Sequence, residues 1–93
     1  MATARGSFRI VNERGLHART ASAFVTVSGR FASNIVVEKD GRSADGKSIL
    51  GILGLLGVRG SIIEVTAEGI DADAAIEALG QLVASGFDEG AST

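Results

Sequence analysis

The stretch Asn34-Ile35-Val36-Val37-Glu38-Lys39-Asp40-Gly41-Arg42-Ser43-Ala44-Asp45 decides the architecture of this chain. Its first half is β-branched and alternates apolar with polar, which is the pattern of a half-buried strand. Asp40-Gly41 is a hairpin turn signal, because a two-residue turn between twisted strands needs left-handed backbone at its centre, and Arg42 to Asp45 then returns as a short strand. Two strands so joined are antiparallel, since a parallel crossover needs a dozen or more residues.

Upstream of the hairpin, Ser7 to Val11 reads as a strand with Phe8 and Ile10 on the core face, and Asn12 to Gly15 as a loop. From Ala18 to Ser28 the apolar residues Ala21, Phe24, Val25 and Val27 recur near helical spacing, and Gly29 stands where a left-handed helix cap is expected. Downstream, Lys47 to Leu56 fits a short helix even though Gly51 and Gly54 each cost about 1 kcal/mol relative to Ala, so packing has to hold it. Ser61 to Ala67 is a strand with Ile63 and Val65 on one face. Asp71 is placed to cap a last helix in which Ala72, Ile76, Leu79 and Val83 form the apolar stripe, ending near Gly86. The order is β-α-β-β-α-β-α, an α+β chain with an antiparallel sheet and helices on one face. The first few residues and Ala91-Ser92-Thr93 are expected to fray.

With 93 residues the chain is expected to form one domain, residues 1–93. The absence of Cys and the single His exclude a disulfide framework, thiol catalysis and a Cys- or His-based metal cluster, so neither metal nor cofactor is expected. Net charge is −2, unlike a general nucleic-acid binder, yet residues 1–47 carry 8 basic and 4 acidic side chains while residues 48–93 carry 1 and 7. An anion or acidic partner is therefore to be sought in the first half. The longest apolar run, Ile49 to Val58, is about half of the roughly 20 residues that a membrane-spanning helix requires, so no membrane insertion is expected. The N-terminus also lacks the apolar core of a secretory signal, which points to the cytoplasm.

Two motifs compete for the chemistry. Gly41-Arg42-Ser43-Ala44-Asp45-Gly46-Lys47-Ser48 satisfies the phosphate-loop pattern G-x-x-x-x-G-K-[ST], the signature of a small nucleotide-binding protein. That reading needs a parallel sheet and a second acidic residue for magnesium, and Ser61 to Ala67 is the one convincing strand after Ser48. The second motif is Gly15-Leu16-His17-Ala18-Arg19-Thr20-Ala21, which sets the only His at the N-terminus of a helix. Free backbone amides and the positive dipole end favour a bound anion there, and an uncharged imidazole offers a nitrogen lone pair as nucleophile. Arg19 adds a guanidinium for the phosphorylated product. By spacing alone a surface or capping His remains the simpler reading, just as Ser48 would be an N-cap and Asp71, Asp73 and Glu77 a solvated face.

The segments Asn12 to Ala21, Gly46 to Leu53, Leu56-Gly57 and Gly69 to Phe87 together resemble the histidine-containing phosphocarrier (HPr) family of the phosphoenolpyruvate-dependent phosphotransferase system. The resemblance implies a two-layer open-faced sandwich, with a four-stranded antiparallel sheet and three helices on one face. It also implies a stoichiometric carrier, not an enzyme, whose His17 takes a phosphoryl group on Nδ1 from phosphorylated Enzyme I and passes it to an EIIA-type acceptor in sugar uptake or its regulation. Arg19 matches the assisting arginine, and Ser48 the serine that a dedicated kinase or phosphorylase modifies in some lineages. Ile49, Leu50 and Leu53 match the apolar patch that docks partners, and Thr20 is grouped with that surface. A monomer is expected, and a nitrogen-related or regulatory paralogue would carry the same phosphohistidine. Where the family usually has Pro after the Arg, this chain has Thr20. Because Pro removes unfolded-chain freedom, Thr20→Pro is expected from the sequence to raise stability slightly.

Overall fold

The hairpin forms as its sequence dictates: β2 (Asn34–Lys39) pairs antiparallel with β3 (Arg42–Asp45), joined through Asp40 and Gly41 at φ 51° and 80°. The computed structural model describes residues 2–89. Before the hairpin come β1 (Thr3–Arg9) and α1 (Ala18–Ser28). After it come α2 (Ile49–Gly54), β4 (Ile62–Glu68), α3 (Ala72–Ala84) and a 3-10 turn, Gly86–Asp88. The sheet order is β1-β4-β2-β3 and every neighbouring pair is antiparallel. All three helices lie on one face of the four strands, as the element order suggests and as the two-layer sandwich implied by the family resemblance requires.

Alternation decides which face is covered. In β2 Ile35 and Val37, and in β4 Ile63, Val65 and Ala67, point inward and are buried. Phe24, Ile52, Leu79 and Val83 close on them from the helical layer, Ile10 joins them just after β1, and burying each large apolar side chain is worth about 1.5–3 kcal/mol. Gly80, inside α3, lets that helix approach β1: a Cβ there would stand 2.9 Å from the ring of Phe8.

Four local expectations are corrected. From Ala2 onward the N-terminal segment is not frayed, because Thr3 pairs with Glu68 and the Ala2 carbonyl accepts the Gly69 amide. Gly29 ends α1 in right-handed conformation (φ −67°), its N–H satisfied by the Val25 carbonyl, so no left-handed cap is used. Asp71 precedes α3 without a side-chain capping bond; its carboxylate instead accepts from the Ala32 and Ser33 amides and the Ser33 hydroxyl, tying the α1–β2 loop to α3. The Ser33 hydroxyl, foremost, and these amides hold the Asp71 carboxyl below its ordinary value. The central helix is shorter than Lys47 to Leu56, starting only after Ser48. The tail Ala91-Ser92-Thr93 lies outside the described residues.

Candidate functional site

His17 is the N-cap residue of α1, with extended backbone (φ −129°, ψ −175°). Its Nδ1 accepts the Arg19 amide at 3.3 Å, and its own backbone N–H donates to Thr20 Oγ1 at 3.0 Å. The imidazole therefore does what Ser or Asp does at other helix starts, taking one of the orphan donors of the first turn. Its side chain is about one-fifth exposed (21%), so the ring is held yet open to an approaching group. Arg19 is exposed beside it.

The loop that delivers His17 is anchored by backbone. Gly15 has φ +66°, and a Cβ at that position would overlap the Gly57 carbonyl, so only glycine fits. The Leu16 amide donates to that same carbonyl at 2.7 Å, fastening the loop to the segment after α2. Thr20 is buried, 1% exposed, and its hydroxyl donates to the Gly15 carbonyl at 2.9 Å while receiving the His17 amide. Thr20 is thus corrected from a docking residue to an internal brace, because a side chain this buried meets no partner.

Two residues join the site that the sequence reading left out. Asn12 is buried, and its Nδ2 donates both to the Gly15 carbonyl (2.9 Å) and to Glu89 Oε1 (3.1 Å). Glu89 Oε2 meets His17 Nε2 at 2.8 Å. Partial desolvation pushes the Glu89 carboxyl up, but the hydrogen bonds from Asn12 and His17, with Arg19 nearby, outweigh it and hold the group below its ordinary value. Nothing in the spacing announces Glu89, which stands 72 residues from His17. Asn12 leaves one local trace, a turn in which its carbonyl accepts the Gly15 amide.

The remaining candidates lie on α2, which packs against α1. Ser48 is its N-cap, with Oγ accepting the Gly51 amide at 3.0 Å. Leu50 is 82% exposed and Ile49 42%, whereas Leu53 is half-buried against the core. Leu56 (62%) and Val58 (66%), which flank Gly57 and hence the His17 loop, extend the apolar surface, and Leu56 does so in left-handed conformation (φ 56°). The phosphate-loop look-alike is dispersed: Gly41 is in the hairpin turn, Lys47 donates to the Phe31 carbonyl, and Ser48 caps α2. These residues line no phosphate cradle, and the strand before them runs in an antiparallel sheet.

Residues 4–85 match the family model described as the PTS HPr component phosphorylation site. This chain belongs to the HPr family. It is 37% identical over 84 residues to the phosphocarrier protein HPr of Neisseria meningitidis, covering 90% of this chain and 94% of that one. It is also 39% identical over 87 residues to a multiphosphoryl transfer protein of Vibrio cholerae, 90% of this chain against 22% of that longer protein. The crystal structure of HPr-C-His from Thermoanaerobacter tengcongensis superposes with a TM-score of 0.89 at 42% identity, over 92% of this chain and 97% of that one. The HPr fold and phosphocarrier class follow for this chain, and among the described residues no helix is long and apolar enough to cross a membrane.

Proposed function

We propose that His17 is the phosphoryl acceptor, taking the group on Nδ1 from phosphorylated Enzyme I and passing it to an EIIA-type acceptor in the cytoplasm. The observation that carries this reading is the placement of the ring: Nδ1 is aimed at the amides of the first turn of α1, with Arg19 exposed next to it. Once Nδ1 bears a phosphoryl group, the amides and guanidinium are positioned to bind its oxygens, as helix N-termini bind phosphates generally. A family relative named as a multiphosphoryl transfer protein fits a role in a phosphoryl relay. The carrier works as a single domain and a monomer, offering Ile49 and Leu50 with Leu56 and Val58 as the apolar surface on which donor and acceptor dock in turn. Ser48 is the site through which a serine kinase would regulate docking.

The test is incubation with phosphoenolpyruvate and Enzyme I. The wild type gains one phosphate that is labile in acid and stable in base, as a phosphoramidate is, and His17→Ala gains none while remaining folded. An acid-stable adduct, or labelling of the His17→Ala variant, overturns the assignment.

A further inference from the structure

Thr20 meets His17 through two groups. Its hydroxyl receives the His17 amide at 3.0 Å, and its own backbone N–H faces the His17 side chain, the reciprocal pair of a capping box. The Ala21 amide is engaged elsewhere, closing the first helical bond on the His17 carbonyl at 2.8 Å. Two first-turn amides, those of Arg19 and Thr20, therefore converge on one imidazole, and Nδ1 accepts the Arg19 amide at a long 3.3 Å. One lone pair facing two donors satisfies neither fully. Proline, usual at this position in the family, has no N–H, so the second donor exists here because the residue is threonine.

Phosphorylation changes what these amides meet. Attack by Nδ1 uses its lone pair to form the N–P bond, while the bond from phosphorus to the donor atom breaks and its electron pair leaves with the donor; the proton on Nε2 stays where it is. Nδ1 then accepts nothing, and the phosphoryl group brings anionic acceptor oxygens in its place. Thr20 is 1% exposed, so bulk water does not serve its amide, and a buried donor without an acceptor is costly.

We propose that the Thr20 backbone N–H is a phosphoryl-binding group of this carrier, a second amide beside that of Arg19, which closes on a phosphoryl oxygen once Nδ1 is modified. The proposal rests on His17 being the acceptor. The Thr20 hydroxyl, fixed between the Gly15 carbonyl at 2.9 Å and the His17 amide, holds the residue in place. Before transfer the amide faces a neutral ring nitrogen, and after it an anionic oxygen, with which a hydrogen bond is about twice as strong. The difference favours the loaded form. This chain keeps its phosphoryl group more firmly than the same chain with proline in place of Thr20, and passing the group to an acceptor releases correspondingly less free energy.

The test is a competition between full-length carriers. Wild type and a variant in equal amounts, with catalytic Enzyme I and enough phosphoenolpyruvate to load half of the total, exchange phosphate to equilibrium, and intact mass spectrometry at neutral pH reads the distribution. Thr20→Pro removes amide and hydroxyl, whereas Thr20→Val removes the hydroxyl alone, so the amide distinguishes them. The loaded-to-unloaded ratio of wild type should exceed that of Thr20→Pro about tenfold, the step from a neutral to a charge-assisted hydrogen bond, and that of Thr20→Val by no more than about twofold. In wild type alone, NMR should show the Thr20 amide proton moving downfield on loading. Equal sharing with Thr20→Pro, a Thr20→Val variant as weak as Thr20→Pro, or a Thr20 amide proton that does not move downfield overturns the proposal. A wild type that gains no phosphate, or gains it elsewhere than on His17, overturns the phosphocarrier reading instead.

Discussion

Thr20→Pro installs the residue that the HPr family usually carries, and the structure reverses the effect expected from sequence. Proline at a compatible position lowers the entropy of the unfolded chain and stabilises by about 0.4–1 kcal/mol. Against this, the Thr20 hydroxyl donates to the Gly15 carbonyl and accepts the His17 amide, and proline can do neither. Two hydrogen bonds at about 0.5–1.5 kcal/mol each make a loss of about 1–3 kcal/mol. The Gly15 carbonyl keeps Asn12 Nδ2, so that loss stands near the lower end. The net is a destabilisation of about 0.5 kcal/mol, which for a chain of this size lowers Tm by about 2–4 °C. Thermal unfolding followed by circular dichroism reads the sign directly. A proline variant that melts at or above the wild-type temperature refutes the brace, and the His17 loop would then owe its position to the Gly15 and Gly57 backbone alone.

Ser48→Asp should leave α2 intact, because a carboxylate at a helix N-terminus is favourable by about 0.3–1 kcal/mol, yet slow phosphorylation by Enzyme I by burdening the surface beside Ile49 and Leu50 with a charge to desolvate; an unchanged rate in a folded variant places docking elsewhere. Gly15→Ala should cost at least about 1–2 kcal/mol, since φ +66° is unfavourable for any side chain and the Gly57 carbonyl occupies the space, and urea titration measures it. Asp71, held below its ordinary carboxyl value chiefly by Ser33, adds stability at neutral pH that disappears as pH falls below that ordinary value, about 3.9 when unfolded, and through the lowered folded one. Asp71→Asn should therefore lose less stability on acidification than wild type, and parallel acid-unfolding curves would show that the carboxylate contributes nothing.

The hairpin was legible because Asp40-Gly41 demands a backbone that few other pairs adopt, and alternation in β4 picked out Ile63 and Val65, both of which are buried. Helix ends were less so. Gly29 carries every mark of a left-handed cap but meets a Val25 carbonyl placed for ordinary closure, a tertiary outcome that propensity does not contain. Asp71 likewise had two uses open to it, and the proximity of Ser33, 38 residues distant, chose the second. His17 and Arg19 were visible as candidates because both fall at one helix start, and the resemblance to the phosphocarrier family, not the spacing alone, singled them out. Asn12 and Glu89 were not, since a contact between the first strand's end and the last turn leaves no periodic signal.

The bond from Leu16 to the Gly57 carbonyl, with Gly15 pressed against the same peptide, joins the histidine loop to the segment between Leu56 and Val58 through main chain alone. Side chains at a contact can change rotamer to suit each visitor; a peptide-to-peptide clamp cannot. A carrier built this way presents the same distances to whatever loads it and whatever unloads it, so conformational adjustment falls to the larger partners. Unrelated donors and acceptors would thereby be driven to converge on one complementary shape.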